Sequence, residues 1–432
     1  MKHLPPKLFL LVLFFSLRSA SIRAQEAQVT LASGGSLNGY VSPIRSIDPA
    51  DTDFADLEGL KAAVGNARIV MLGEQTHGEG STFLAKTRII KFLHERMGFD
   101  VLAFESGFYD CARIWEDVKA GGQLSDEVVG SLFYMYATSR QMAPLFAYLQ
   151  AGWTLAGFES QHTGLKAKTR LFPDFEHFLQ ANAPGTIDSA WRLFCRVSLS
   201  TFASRDYRPG AAEKKVFFDK LSALKRLLEG GKAAVGDSLT GSPGFWYQVV
   251  CNIESQALRY WQMTTGNEVS VRDLQMAKNL IWLAQKAYPG KKIIVWAHNV
   301  HIAKDISSLG PVGAQSASAP ADAFIPMGHT LHQHFGARAY CIGFSGSEGS
   351  YMNYVDSRIV PVPVAPAGSI EGALAATGYA YAFLNYHHVP GALEQKQAAM
   401  LADYSDMEGI WPETFDGLFF IRQVFPVERT GR

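Results

Sequence analysis

Short apolar runs that stop abruptly at polar, ionisable residues constrain this chain most. Ile69–Leu72 breaks at Gly73 into a cluster holding Glu74, Thr76 and His77. Val101–Phe104 runs into Glu105-Ser106-Gly107, and Trp153–Phe158 into Glu159 and then His162. Ile293–Ala297 is followed by His298-Asn299-Val300-His301, and Tyr340–Phe344 by Ser345-Gly346. A few consecutive apolar residues bounded by such breaks describe a strand buried on both faces. In open α/β sheets, ligands bind at the carboxyl ends of the strands. Strand ends lying side by side would gather these ionisable side chains into one site.

The stretches between the runs read as helices. Asp51 to Ala63 is one, capped by Asp51 or Thr52. Ser81 can cap another that runs to about Arg96 and ends at Gly98. With a strand on each side this is a βαβ unit, which predicts parallel pairing of the Ile69 and Val101 strands. From Lys166 to Tyr288 only helices are legible; Phe217, Leu221, Leu224 and Leu228 make an apolar stripe at helical spacing. The expected fold is α/β: a mostly parallel central sheet flanked by helices in three layers. A helical insertion (166–288) separates the two parts of a catalytic domain, 25–165 and 289–432. Residues 25–50 read as a polar lead-in, and Leu418–Val424 as the last strand. The Ala/Ser/Pro/Gly-rich stretch 304–326 reads as a mobile loop at the site mouth.

Residues 1–24 read as a secretory signal peptide. Lys2 and Lys7 precede the apolar run Leu8–Leu17, which is too short to span a bilayer, and Ala24 is a plausible cleavage point. The expected product is secreted or periplasmic, with no membrane segment after removal. Its charge is mildly acidic: losing Lys2, Lys7, Arg18 and Arg23 from 40 basic residues leaves 36 against 40 acidic. Nothing in that balance offers an electrostatic footprint for nucleic acid. Cys111, Cys195, Cys251 and Cys341 have no metal-knuckle or redox spacing and read as buried thiols.

The chemistry on offer is His and Glu. Glu74 can fix the tautomer of His77, the orienter–base pairing used in hydrolysis. Glu105 follows a strand expected beside that of Ile69, and so falls near Glu74. His298 and His301 could supply two metal ligands, or a base and an oxyanion donor. Lys86 and Arg88, in the helix after His77, could pair with these carboxylates or hold a substrate anion. Arg272-Asp273 is an ion pair at a helix start or a substrate contact. No GxSxG elbow, P-loop or dinucleotide fingerprint is present.

GEQTHG (Gly73–Gly78), AFESG (Ala103–Gly107), RDLQMAKN (Arg272–Asn279) and WAHNVHIAK (Trp296–Lys304) occur in an order that resembles the erythromycin esterase family. PMGHTL (Pro326–Leu331) and YCIGF (Tyr340–Phe344) look like its next block. The resemblance implies a metal-independent, cofactor-free hydrolase that opens the lactone of a macrolide. Its base would be His77, oriented by Glu74, with Glu105, His298 and His301 lining the pocket. Lys86, Arg88 and Arg272 would contact substrate, a small-molecule ester or lactone. Gln75 stands where Ala is usual, and Lys86 where Arg is common. Export also argues against a macrolide as natural substrate, because resistance enzymes meet the drug in the cytoplasm. The family's similarity in fold to metal-dependent peptidases and to a haem-binding group supplies the alternative: a metal-dependent hydrolase, or a haem- or metal-binding periplasmic protein, using the same His/Glu pocket.

Overall fold

The structure is a computed structural model that describes residues 37, 40–230, 238–263, 268–312, 324–366, 368–387, 393–400 and 403–431. The expected signal segment 1–24, and residues 313–323 of the expected mouth loop, lie outside the described residues. Among the described residues no helix is long and apolar enough to cross a membrane.

The apolar runs do form the centre of one nine-stranded sheet. From one edge the order is Val41–Ile44, Tyr381–Asn385, Gly417–Val424, Ala339–Met352, Ile69–Leu72, Lys292–Trp296, Phe99–Gly107, Thr154–Glu159. The ninth strand, Ile359–Pro361, pairs back on the outer half of Ala339–Met352. The first two pairings are antiparallel and the other five along the path are parallel. This is the expected α/β class, with helices on both faces.

Two features of the topology differ from the expectation. The strand Ile69–Leu72 does not pair with Phe99–Gly107; Lys292–Trp296 lies between them. A βαβ unit fixes direction, not adjacency, and a strand over two hundred residues later fills the gap. The lead-in also contributes an edge strand, Val41–Ile44, whose partner Tyr381–Asn385 is still more distant in sequence. Pro43 fits there because an edge strand leaves one side unpaired. The expected first helix starts late, as a 3-10 turn at Ala55–Leu57 and a helix at Glu58–Val64. Asp51 is instead held by Arg45.

Each sheet face has its own apolar core. Val70, Leu72, Leu102 and Phe104 point to the layer of Phe83, Ile90 and Leu93 from the helix Gly80–Met97. Met71, Val101, Ala103 and Val295 point to the other layer, built from the helices between Leu165 and Trp282. Phe175 and Trp246 stack there with ring centroids 4.4 Å apart. All four cysteines are free thiols, with Cys111 and Cys341 buried.

Candidate active site

The register aligns Leu72, Trp296 and Phe104 across three neighbouring strands. Gly73–His77 and Ala297–His301 therefore leave the sheet at the same edge, where Glu105–Gly107 ends its own strand. Backbone bonds tie these turns together: Ala297 N–H donates to Leu72 O and Asn299 N–H to Glu74 O. Gly73 is required by close approach, since a Cβ there would sit 2.0 Å from Asn299 Oδ1. That Asn oxygen accepts from Phe344 N–H, clamping the turn to the next strand. Gly78 is likewise pressed against the Met352 carbonyl.

Glu74 is fully buried and accepts four hydrogen bonds. Oε1 takes His77 Nδ1 at 2.5 Å and the Tyr136 hydroxyl at 2.6 Å. Oε2 takes Lys86 Nζ and Trp296 Nε1, both at 3.0 Å. Burial alone would raise this carboxyl, but Lys86 and His77 outweigh it and hold the pKa below the usual value. Burial depresses Lys86 to about 8, partly offset by Glu74. Since the carboxylate holds the proton on Nδ1, His77 presents a bare Nε2. Its ring is the more exposed member of the pair, edge-on to Phe133 at 4.9 Å and Tyr354 at 5.0 Å.

A second cluster lies on the other side of His298. Arg272 bridges two carboxylates: Nε donates to Glu159 Oε2 at 2.7 Å and Nη2 to Glu105 Oε1 at 2.8 Å. Burial opposes the charge on Glu105, but His301 and Arg272 hold its pKa well below the ordinary range. His301 Nδ1 lies 2.8 Å from Asp273 Oδ2. Its Nε2 is 2.9 Å from Arg272 Nη1 and 3.3 Å from Glu105 Oε1. Burial disfavours the charged ring, yet Asp273 and Glu105 outweigh it and raise its pKa to about 10. The ring therefore stands as a cation between the Asp273 and Glu105 carboxylates.

His298 joins the two clusters. Its backbone N–H donates to Glu105 Oε2 at 2.9 Å, and its ring lies 5.4 Å from that of His77. Nδ1 accepts from Val300 N–H at 3.2 Å, so the proton sits on Nε2, which donates to the Gln75 carbonyl at 2.8 Å.

The edge thus brings Glu74, His77, Lys86, Glu105, Arg272, His298 and His301 together. Arg88 is not among them. Two positions along a helix from Lys86, it faces a different way and donates to Asp56 and to the carbonyls of Ser46 and Asp53. It clasps the segment before the first helix instead of meeting substrate. Tyr136, Asp273, Glu159 and Asp403, whose Oδ1 is 3.6 Å from His298 Nε2, complete the surroundings. Glu159 follows the strand-end pattern and was legible by it. Tyr136 sits in a stretch without strand or cap signals, so nothing marked it.

A metal held by His77, His298 and His301 would have to displace the partners just described. Among the described residues, side chains of ligand type gather within 4.8 Å elsewhere, at His332, Cys341 and Asp416. There Lys304 Nζ already lies 2.6 Å from the Asp416 carboxylate, and its charge opposes a cation.

A family model described as Erythromycin esterase matches residues 94–424. That span contains Glu105, Arg272, His298 and His301 and begins after His77. YbfO of Bacillus subtilis (strain 168) is 25% identical over 411 residues, covering 88% of this chain and 89% of that protein. Erythromycin esterase type II of Escherichia coli is 23% identical over 400 residues, 86% of this chain and 93% of that protein. Among solved structures, a mutant of erythromycin esterase EreC in its open conformation is similar with a TM-score of 0.66 at 18% identity. That likeness covers 90% of this chain and 98% of that one and is one of fold. Matched by the family model over most of its length, the chain belongs to the erythromycin esterase family.

Proposed function

We propose that this protein is an exported hydrolase of a small-molecule ester or lactone, working without a metal, with His77 as general base. The observation that carries the reading is the contact between His77 Nδ1 and the buried Glu74 carboxylate. It fixes the tautomer that a base needs and stabilises the imidazolium that forms. Water gives its proton to His77 Nε2, and the hydroxide adds to the carbonyl carbon. We assign the oxyanion to the Nε2–H of His298, which exchanges its bond to the Gln75 carbonyl for one to the oxyanion as it forms. The carbon–oxygen bond to the leaving group then breaks, and the alkoxide takes the proton back from His77. The products are an alcohol and a carboxylic acid, which loses its proton to solvent to leave the carboxylate. Lys86 keeps Glu74 charged, and Arg272 keeps Glu105 charged.

The test is a hydrolysis screen of residues 25–432 on p-nitrophenyl esters and macrolides, with and without EDTA, beside His77→Ala. Chelator-insensitive turnover that disappears in the variant is expected. Activity lost to EDTA would instead favour the metal-dependent alternative. Full activity in His77→Ala would sink the assigned role. Export is tested separately, by sequencing the N-terminus of the protein recovered outside the cytoplasm; residues 1–24 should be missing.

A further inference from the structure

Beside the catalytic edge, Arg272, Arg259 and Arg205 follow one another as neighbouring guanidinium groups next to Glu159. Glu159 already binds Arg272. Arg259 is close enough to feel both charges: burial lowers its pKa, Arg272 lowers it further and Glu159 opposes. Arg259 has no hydrogen-bond or ion-pair partner among the described residues, and its Nη1 is buried. Arg205 approaches the same spot; both guanidinium groups lie over the Tyr260 ring, at 5.3 Å for Arg205 and 5.8 Å for Arg259. The link to the reacting centre is short. Tyr260 donates to Gln161 Oε1 at 2.8 Å, and Gln161 N–H donates to Glu159 Oε1 at 3.0 Å.

A second group is unsatisfied at the same place. Gln256 and Arg259 are three residues apart on the helix Pro243–Tyr260 and so share a face. Gln256 is almost wholly buried. Its Oε1 accepts the backbone N–H of His162 at 2.9 Å and His162 Nδ1 at 3.3 Å. That double contact fixes which end of the amide is oxygen. The NH2 end is therefore a donor, and it has no partner. His162 is held in turn by stacking on Phe202, centroids 4.6 Å apart.

Buried charges and buried donors are ordinarily paired. Here the buried Nη1 of the half-buried Arg259 and the buried amide of Gln256, on one face of the same helix, are both without a partner and offer hydrogen-bond donors and positive charge. Position in the last turn of its helix favours the Arg259 charge but gives Nη1 no acceptor. A planar guanidinium beside an amide is the donor set that carboxylates and phosphate-like oxyanions accept from.

We propose that Arg259, Gln256 and Arg205 form a subsite for an anionic group, a carboxylate or a sulfate- or phosphate-type oxyanion, carried by the substrate next to the bond that is cleaved. That it belongs to the substrate rests on the hydrolase reading above; that it binds anions does not.

Two arms test it on the purified mature protein. Calorimetric titration at constant ionic strength uses succinate and sulfate as probes, with chloride as background. Saturable binding, at least tenfold weaker in Arg259→Gln and largely restored in Arg259→Lys, is expected. Absence of saturable binding, or equal binding in wild type and Arg259→Gln, overturns the subsite. The second arm compares mono-p-nitrophenyl succinate, which carries a free acid, with neutral p-nitrophenyl valerate. A preference of tenfold or more in kcat/KM for the acid, collapsing in Arg259→Gln, is expected. Arg259-dependent binding without that preference keeps the subsite but overturns its assignment to substrate, leaving a free anion. No turnover of either ester counts against the hydrolase reading alone, and the binding arm still decides the subsite.

Discussion

His77 Nδ1 lies 2.5 Å from Glu74 Oε1, and that carboxylate is buried under three further donors: Tyr136, Lys86 and Trp296. If the pair is the base and orienter proposed above, removing His77 should remove the chemistry and little else. His77→Ala is expected to lower kcat/KM by about 10²–10⁴-fold with a circular dichroism spectrum like that of wild type.

Tyr136 acts on His77 only through Glu74. Tyr136→Phe withdraws one donor, which leaves more negative charge on the carboxylate facing the imidazole. The acidic limb of the kcat/KM profile should therefore move to higher pH. A purely structural role would lower stability without moving that limb, so the pH profile separates the two.

Lys86 and Arg88 are two residues apart and should behave differently. Lys86→Met leaves Glu74 without its ion-pair partner at 3.0 Å, and turnover should fall steeply. Arg88→Met breaks a buried pair with Asp56, costing about 3–5 kcal/mol of stability. Where the protein stays folded, its kcat should match wild type. Thermal unfolding alongside kinetics at 20 °C would show the contrast, and a large kcat loss in Arg88→Met would contradict the placement.

Glu79 is buried beside the pocket, hydrogen-bonded to Thr82 and Tyr404, and burial raises it from 4.5 to about 7. Between those values the folded protein holds a proton that the unfolded chain has released. Stability from this group is therefore present at low pH and lost as pH rises through about 7. The full loss is of order 3 kcal/mol at most. Glu79→Gln keeps the uncharged form, so its advantage over wild type in urea unfolding should appear at pH 8 and vanish at pH 4.5. An advantage independent of pH would show that the proton is not the cause.

His301 and His298 should separate by the same logic of pairing. His301→Gln leaves Asp273 buried opposite a neutral group, and Asp273 Oδ1 already lacks a partner. A loss of about 3 kcal/mol or more is expected. His298→Gln costs mainly hydrogen bonds to backbone, about 1–2 kcal/mol, and should act chiefly on kcat. Equal destabilisation by both would mean that the two rings are not held in these different ways.

The runs of apolar residues ending in ionisable ones determined, by themselves, that this is a mostly parallel α/β sheet with ionisable side chains gathered at one edge. A strand buried on both faces needs an uninterrupted apolar run, and the residue after it must leave the sheet at the carboxyl end. Glu74, His77, Glu105, His298 and His301 were legible for that reason, and the spaced motifs around them gave the family. What only the tertiary structure decided is which strands are neighbours and which way each long side chain faces. Strand order depends on pairings across hundreds of residues, which is how Lys292–Trp296 comes between Ile69–Leu72 and Phe99–Gly107. Direction around a helix separated Lys86 from Arg88 although they read alike. Tyr136, the unpaired groups of Gln256 and Arg259, and the neighbouring Arg272, Arg259 and Arg205 arise where distant segments pack, and local sequence carries no trace of that packing.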